Sequence, residues 1–145
     1  MIFSGYSPAI EKACPVVLRH TKGPHEILSF AQLTAGQRLI KGTVKASETA
    51  AATAVRGLHE EAGITAHKSA IALGSSNAIY PGETWHFFVL QTHPLPNSWQ
   101  HKNADDDGQL FRFFWHPLPQ PLSNSFERRY HRAVHLPMAR VTGGS

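Results

Sequence analysis

Two adjacent glutamates, Glu60 and Glu61, follow Arg56 by four and five positions, near the end of an alanine-rich stretch without proline. If that stretch is helical, residues three and four apart share a face. Gly57, Glu60, Glu61 and Ile64 then stand near one another, and Arg56 can pair with Glu60. Neighbouring carboxylates repel, and both stay ionised only with a cation or an arginine close by. A site so rich in oxygen suits Mg²⁺ or Mn²⁺, ions that bridge to the phosphates of a substrate.

The helix that must carry these groups is predicted over 48–62 (ETAAATAVRGLHEEA), with Ser47 or Thr49 as its N-cap and Gly63 as its terminating glycine. A loop containing Gly42 leads into it. Upstream, 14–20 and 25–32 read as a hairpin around Lys22-Gly23-Pro24, followed by a short strand at 38–40. Downstream, 67–80 and 84–91 read as strands joined at Pro81-Gly82, and 109–115 as another. Between them, 94–108, with Asp105, Asp106 and Asp107 in a row, reads as a loop. A second helix is predicted over 123–135, with Phe126, Tyr130 and Val134 on one face at a spacing of four. Interleaved strands and helices around a mixed sheet give the class α/β or α+β.

Gly42, Glu48, Arg56, Leu58, Glu60, Glu61, Gly63 and Ile64 fall at the spacing of a known signature. It runs glycine, five residues, glutamate, seven residues, then Arg-Glu-aliphatic-x-Glu-Glu-x-Gly-aliphatic. The segment resembles the box of the Nudix hydrolase family, and Lys41-Gly42-Thr43-Val44 is similar to the lysine-glycine lead-in of many members. One position departs, because Gly57 stands where the glutamate after Arg56 is expected. The resemblance implies a single Nudix-like domain over 1–145, an α/β/α sandwich with a central mixed β-sheet, a catalytic loop-helix and a C-terminal helix. It implies a metal-dependent hydrolase that cleaves the pyrophosphate linkage of a nucleoside diphosphate joined to another moiety. Mg²⁺ or Mn²⁺ would polarise the phosphate and activate water.

Carried over by position, Glu61 and Glu60 are the metal ligands and, with Arg56, the catalytic set; the Gly42 carbonyl is a further metal contact. Glu48 and Gly63 are structural box residues, and Glu48 and Arg56 hold the glutamates and the loop in order. A later loop often adds an acid in this family, which selects Asp106. Lys41 and Trp85 are the candidate substrate contacts, Trp85 by stacking on a base.

The glutamate missing at Gly57 is a metal ligand or the general base in the family. Removing a positioned base costs about 10²–10⁴ in rate, and a mid-helix glycine costs about 1 kcal/mol relative to alanine. Three readings stay open. His59, Glu60 or one of Asp105–Asp107 is the base; or activated water suffices for a reactive substrate; or the domain binds nucleotides or phosphorylated ligands with weak or no turnover.

Composition bounds the rest. The 145 residues suit one domain, and 41% hydrophobic against 17% charged residues excludes a disordered chain. Fourteen Lys and Arg against ten Asp and Glu leave +4, with a pI near 9.5, which attracts polyanions. No block of Lys and Arg marks a nucleic-acid arm; Arg128, Arg129 and Arg132 make the last helix basic, a candidate contact for RNA or substrate phosphates whose default reading is a solvated face. The expected partner is therefore a small nucleotide-type substrate, with neither nucleic acid nor membrane; the resemblance adds a homodimer. The single cysteine, Cys14, excludes an intrachain disulfide, reads as a buried inert thiol and suits the cytoplasm. No secretory signal is expected from MIFSGYSPAI, and no apolar run approaches the ~20 residues of a membrane span. His131 and His135 have a spacing that can hold zinc, but no cysteine or HExxH pattern accompanies them. A Walker loop and a dinucleotide GxGxxG are absent.

Overall fold

In the computed structural model, residues 10–20, 23–32, 36–103, 108–118 and 120–142 are described. The element that carries the box is helix α1, Ala50–Ala62. Of the two predicted caps, Thr49 is used: its hydroxyl accepts from the Ala52 N–H at 3.1 Å. Gly63 ends the helix in the left-handed conformation, φ 72°, and its N–H donates to the His59 carbonyl at 3.0 Å. A Cβ there would also lie 2.9 Å from the His101 ring. Gly63→Ala is therefore expected to lose about 1–2 kcal/mol from backbone conformation, before any shift of His101. Thermal unfolding checks this, and an unchanged Tm would remove the requirement for glycine.

Nine strands form two sheets among the described residues. The first is mixed, in the order β5 (Gly42–Thr43), β1 (Ile10–Val16), β7 (Glu83–Val89), β6 (Ile71–Ser76). Within it β1 lies parallel to β7, with Cys14 opposite Phe87, and the other pairs are antiparallel. The second sheet is antiparallel throughout. It runs β2 (Leu18–Arg19), β3 (Glu26–Gln32), β9 (Gln109–Pro117), β8 (Trp99–Asn103), and β4 (Gly36–Arg38) also pairs with β3. Two helices follow at the C-terminal end, α2 (Arg128–Ala133) and α3 (His135–Thr142).

Alternation along the strands feeds two apolar clusters. Cys14, Val16, Trp85 and Phe87 pack with Tyr130, Ala133 and Val134 of the α2 region. Ala13, Val17, Leu90 and Phe113 pack with Ala54, Leu58 and Ala62 of α1. Successive residues of β1 and β7 thus point into different clusters, and helices cover both faces. This is the α+β architecture expected, with the mixed sheet joined by a second, antiparallel one.

Several elements differ from the sequence reading. The expected hairpin of 14–20 with 25–32 divides, because 14–16 belong to β1 in the mixed sheet and, of that first segment, only β2 pairs with β3; α3 was not expected. The segment 94–108 was expected as a loop, yet it contains β8. Its residues WQHKN alternate in burial, but the alternation is carried by polar side chains and gives no hydrophobic period. The expected strand at 38–40 lies at Gly36–Arg38, and Leu39 and Ile40 continue into the core. The expected helix over 123–135 begins only at Arg128, because the backbone before it pairs with β4: Gln37 N–H donates to the Ser125 carbonyl at 2.8 Å, and Glu127 N–H donates to that of Gln37 at 3.2 Å. Phe126, Tyr130 and Val134 are nevertheless all buried.

Candidate active site

Arg56 is the hub of the box. Its Nε and Nη2 donate to the two carboxylate oxygens of Glu48 at 2.7 and 2.8 Å, a bidentate pair. Nη1 donates to Glu60 at 3.0 Å, and Nη2 also reaches the Thr43 carbonyl at 3.2 Å. One guanidinium thereby ties the start of the loop, its end and the last turn of α1 together. Thr53 adds a hydroxyl donor to Glu48 at 2.7 Å. The loop also lies close on the helix: a Cβ on Gly42 would approach the Thr53 methyl to 3.2 Å.

The hydrogen bonds from Arg56 and then Thr53 hold the Glu48 carboxyl at about 2, well below its ordinary 4.5, and Glu48 in turn pushes the Arg56 value up. A carboxyl depressed in the folded state stabilises the fold fully above its unfolded value. That contribution is lost as pH falls through the folded one. Glu48→Gln should therefore flatten the dependence of stability on pH between about 4.5 and 2. Melting curves across that window check it, and an unaltered profile would remove Glu48 from the network.

Glu60 and Glu61 line one open cavity of about 280 Å³ together with Gly42, Lys41 and Arg56. The same cavity is lined by Arg38, Gln32, Asn103 and Tyr130, which the sequence reading had not assigned to a site. Arg38 pairs with Glu127, leaving its buried Nε without a partner among the described residues. Lys41 is half-buried, and burial lowers its pKa, with Lys12 adding to the effect; its Nζ sits 5.9 Å from the Trp85 ring centroid. Burial keeps the Tyr130 hydroxyl protonated by raising its pKa.

Not every expected residue reaches the cavity. Trp85 is 0% exposed and packs against Phe87 and Tyr130, with Nε1 donating to Glu83 at 2.8 Å. The stacking expected of it is corrected: it lies in the core, because its β7 position faces the cluster beneath α2. His59 points outward from α1 and does not line the cavity. Asp106, with Asp105 and Asp107, lies outside the described residues. Cys14 is buried, donates to the Ile40 carbonyl at 3.0 Å and has its thiol pushed up to about 12 by burial, which leaves no reactive thiolate. No group of three or more His, Cys, Asp or Glu side chains gathers for a metal among the described residues, His131 and His135 included. No helix among them is long and apolar enough to cross a membrane.

The NUDIX domain family profile matches residues 12–136. The chain belongs to the Nudix family. The match takes in both sheets, the box and α2, and family membership supports a Nudix-type hydrolase. Solved structures share the fold. A protein assigned to the nudix hydrolase family from Chromobacterium violaceum superposes with a TM-score of 0.65 at 14% identity, covering 90% of this chain and 77% of that one. A mutT/nudix family protein from Listeria innocua gives 0.64 at 16% identity, over 96% and 98%. A MutT structure, from work on the Aliivibrio salmonicida and Vibrio cholerae proteins, gives 0.61 at 18% identity, over 90% and 97%. No curated protein matches the chain.

Proposed function

We propose that this Nudix protein is a divalent-metal-dependent hydrolase that cleaves the pyrophosphate linkage of a nucleoside diphosphate joined to another moiety. The observation that carries this reading is that both box glutamates, Gly42 and three cationic side chains line one cavity. Two carboxylates and a backbone carbonyl are a hard oxygen set. They fit Mg²⁺ or Mn²⁺, which holds several waters and takes the remaining contacts from substrate phosphates. Glu61, Glu60 and the Gly42 carbonyl would hold the ion, with Asp106 as the candidate acid from the later loop. When bound, the ion supplies Lewis-acid polarisation of the phosphate and activation of water.

The chain's own residues divide the remaining work. Lys41 and Arg38 offer positive charge to the diphosphate, and Trp85 serves beneath Lys41 rather than against a base. Arg56, held by Glu48, fixes one oxygen of Glu60 and orients the rest of that carboxylate. Of the side chains considered as base in place of a glutamate at 57, Glu60 alone lines the cavity among the described residues. The site acts on a small nucleotide-type molecule in this reading, and the cytoplasm and a homodimer remain the proposed setting.

Phosphate release from a panel of nucleoside triphosphates, nucleotide sugars, dinucleotides and dinucleoside polyphosphates tests the proposal. Turnover of at least one member with Mg²⁺ or Mn²⁺, abolished by chelator and restored by the metal, is the expected result. Folded protein that binds the metal but turns over none of them would favour a second reading. In that reading, motivated by Gly57, the domain binds nucleotides or phosphorylated ligands with little or no catalysis.

A further inference from the structure

Away from the box cavity, the strands bring the β6–β7 turn against α2. The exposed ring of Tyr80, next to Pro81, lies under the Arg129 guanidinium at 4.3 Å. Two grooves meet there. One, of about 390 Å³, runs between this turn and α2; the other, of about 560 Å³, runs past Asn124 and His131; Arg128 and Arg132 line both. These two arginines are exposed, one helical turn apart, and roughly opposite Tyr130, whose side of α2 belongs to the box cavity. Arg128 has no ion pair among the described residues, and Arg132 makes only a long 3.4 Å hydrogen bond to the Ile79 carbonyl. Among the described residues Glu127 is the one carboxylate lining either groove, and Arg38 and Arg129 already neutralise it.

We infer that α2 and the Tyr80–Pro81 turn form a binding surface for single-stranded nucleic acid, separate from the box cavity. Cations spaced along a ridge match a row of backbone phosphates, whereas one small anion would need donors converging on a point. Tyr80, 42% exposed and held by Arg129 over its ring, offers an aromatic surface on which an unpaired base stacks irrespective of its identity. The net charge of +4 and pI near 9.5 draw a polyanion toward this face. Sequence alone marked the arginines of the last helix as a candidate contact for RNA or phosphates, with a solvated face as the default, but could not pair them with Tyr80, some fifty residues upstream.

Fluorescence anisotropy with fluorescein-labelled 15-nucleotide oligo-U and oligo-dT, in EDTA from 50 to 200 mM KCl, tests the surface with the box metal removed. Binding should weaken linearly in log–log form with salt. Arg128→Ala with Arg132→Ala should reduce the slope by about 1.4, the equivalent of two single-strand phosphate contacts. Tyr80→Ala should weaken binding about tenfold with little change of slope. Charge-preserving Arg128→Lys with Arg132→Lys should keep the slope, and Lys68→Ala, on a different exposed segment, should alter neither quantity. Glu61→Gln should bind like the parent protein, so a failed hydrolysis assay leaves this test intact. No binding at 50 mM KCl, or a double alanine variant with the parent affinity and slope, would overturn the inference. So would marked tightening of binding in Glu61→Gln, where a repelling carboxylate is removed, because it would move the strand into the box cavity.

Discussion

Gly57→Glu is expected to raise metal-dependent turnover by about 100-fold or more, the lower end of what a positioned base contributes. The signature this segment resembles has glutamate at this position, and a Cβ there clashes with no described residue. A Cβ at 57 would meet only the Gly42 backbone nitrogen, at the ordinary contact distance of 3.9 Å. The new side chain emerges between Gly42 and Glu60–Glu61, in the arrangement the box prescribes, one turn before the paired carboxylates. Glycine in the middle of α1 also costs about 1 kcal/mol relative to residues that favour helix, so the backbone gains from the change. A third carboxylate adds repulsion, which the metal must relieve, so the variant should melt higher with Mg²⁺ than without by a wider margin than the parent. Steady-state rates at saturating metal check the first outcome. Equal rates for the two proteins would mean that position 57 does not limit the reaction.

Glu61→Gln should lower turnover more than ~100-fold, beyond the 10–100-fold typical for residues that only support a ligand. The amide keeps the shape and a hydrogen-bonding oxygen while removing the charge that holds a hard cation. Glu61 lies on the final turn of α1 and is partly exposed, so the fold and its melting temperature should be retained. Glu60→Gln is a weaker perturbation of a different kind, because Arg56 loses part of its counter-charge. Metal titration followed by heat separates the two: Glu61→Gln should abolish the metal's effect on apparent affinity at the site. A Glu61→Gln protein with parent rates and parent metal affinity would reject the assignment of this carboxylate as ligand.

Helix α1 was legible to within two residues at its start and to the residue at its end, because its signals are local. Thr49 and Gly63 satisfy orphan backbone groups within a few residues of themselves, and alanine favours helix wherever it stands. The pairing of Arg56 with Glu60 followed from a spacing of four on one helix, whereas Glu48 lies ahead of the N-cap Thr49 and its place in the box was what the resemblance implied. Strand β8 was not legible, because WQHKN has a period of two in burial without one in hydrophobicity. Trp85 was misplaced for a related reason. Alternation along β7 assigns Trp85 and Phe87 to one face and His86 and Phe88 to the other, but only the packing of the α2 region over the first face shows that Trp85 is buried there.

By itself, then, the sequence determined the class, the box helix with its terminating glycine and the pairing of Arg56 with Glu60, all consequences of interactions spanning at most a few turns. The tertiary structure decided which distant side chains share a space. It brought Arg38, Asn103 and Tyr130 to the box cavity and set Trp85 in the core. It also laid Tyr80 under Arg129, at the edge of the arginine ridge on α2. Those meetings depend on the register of β3, β7, β8 and β9 and on where α2 begins. Strand register and sheet order are set by burial summed over the whole chain, a quantity that no short segment contains.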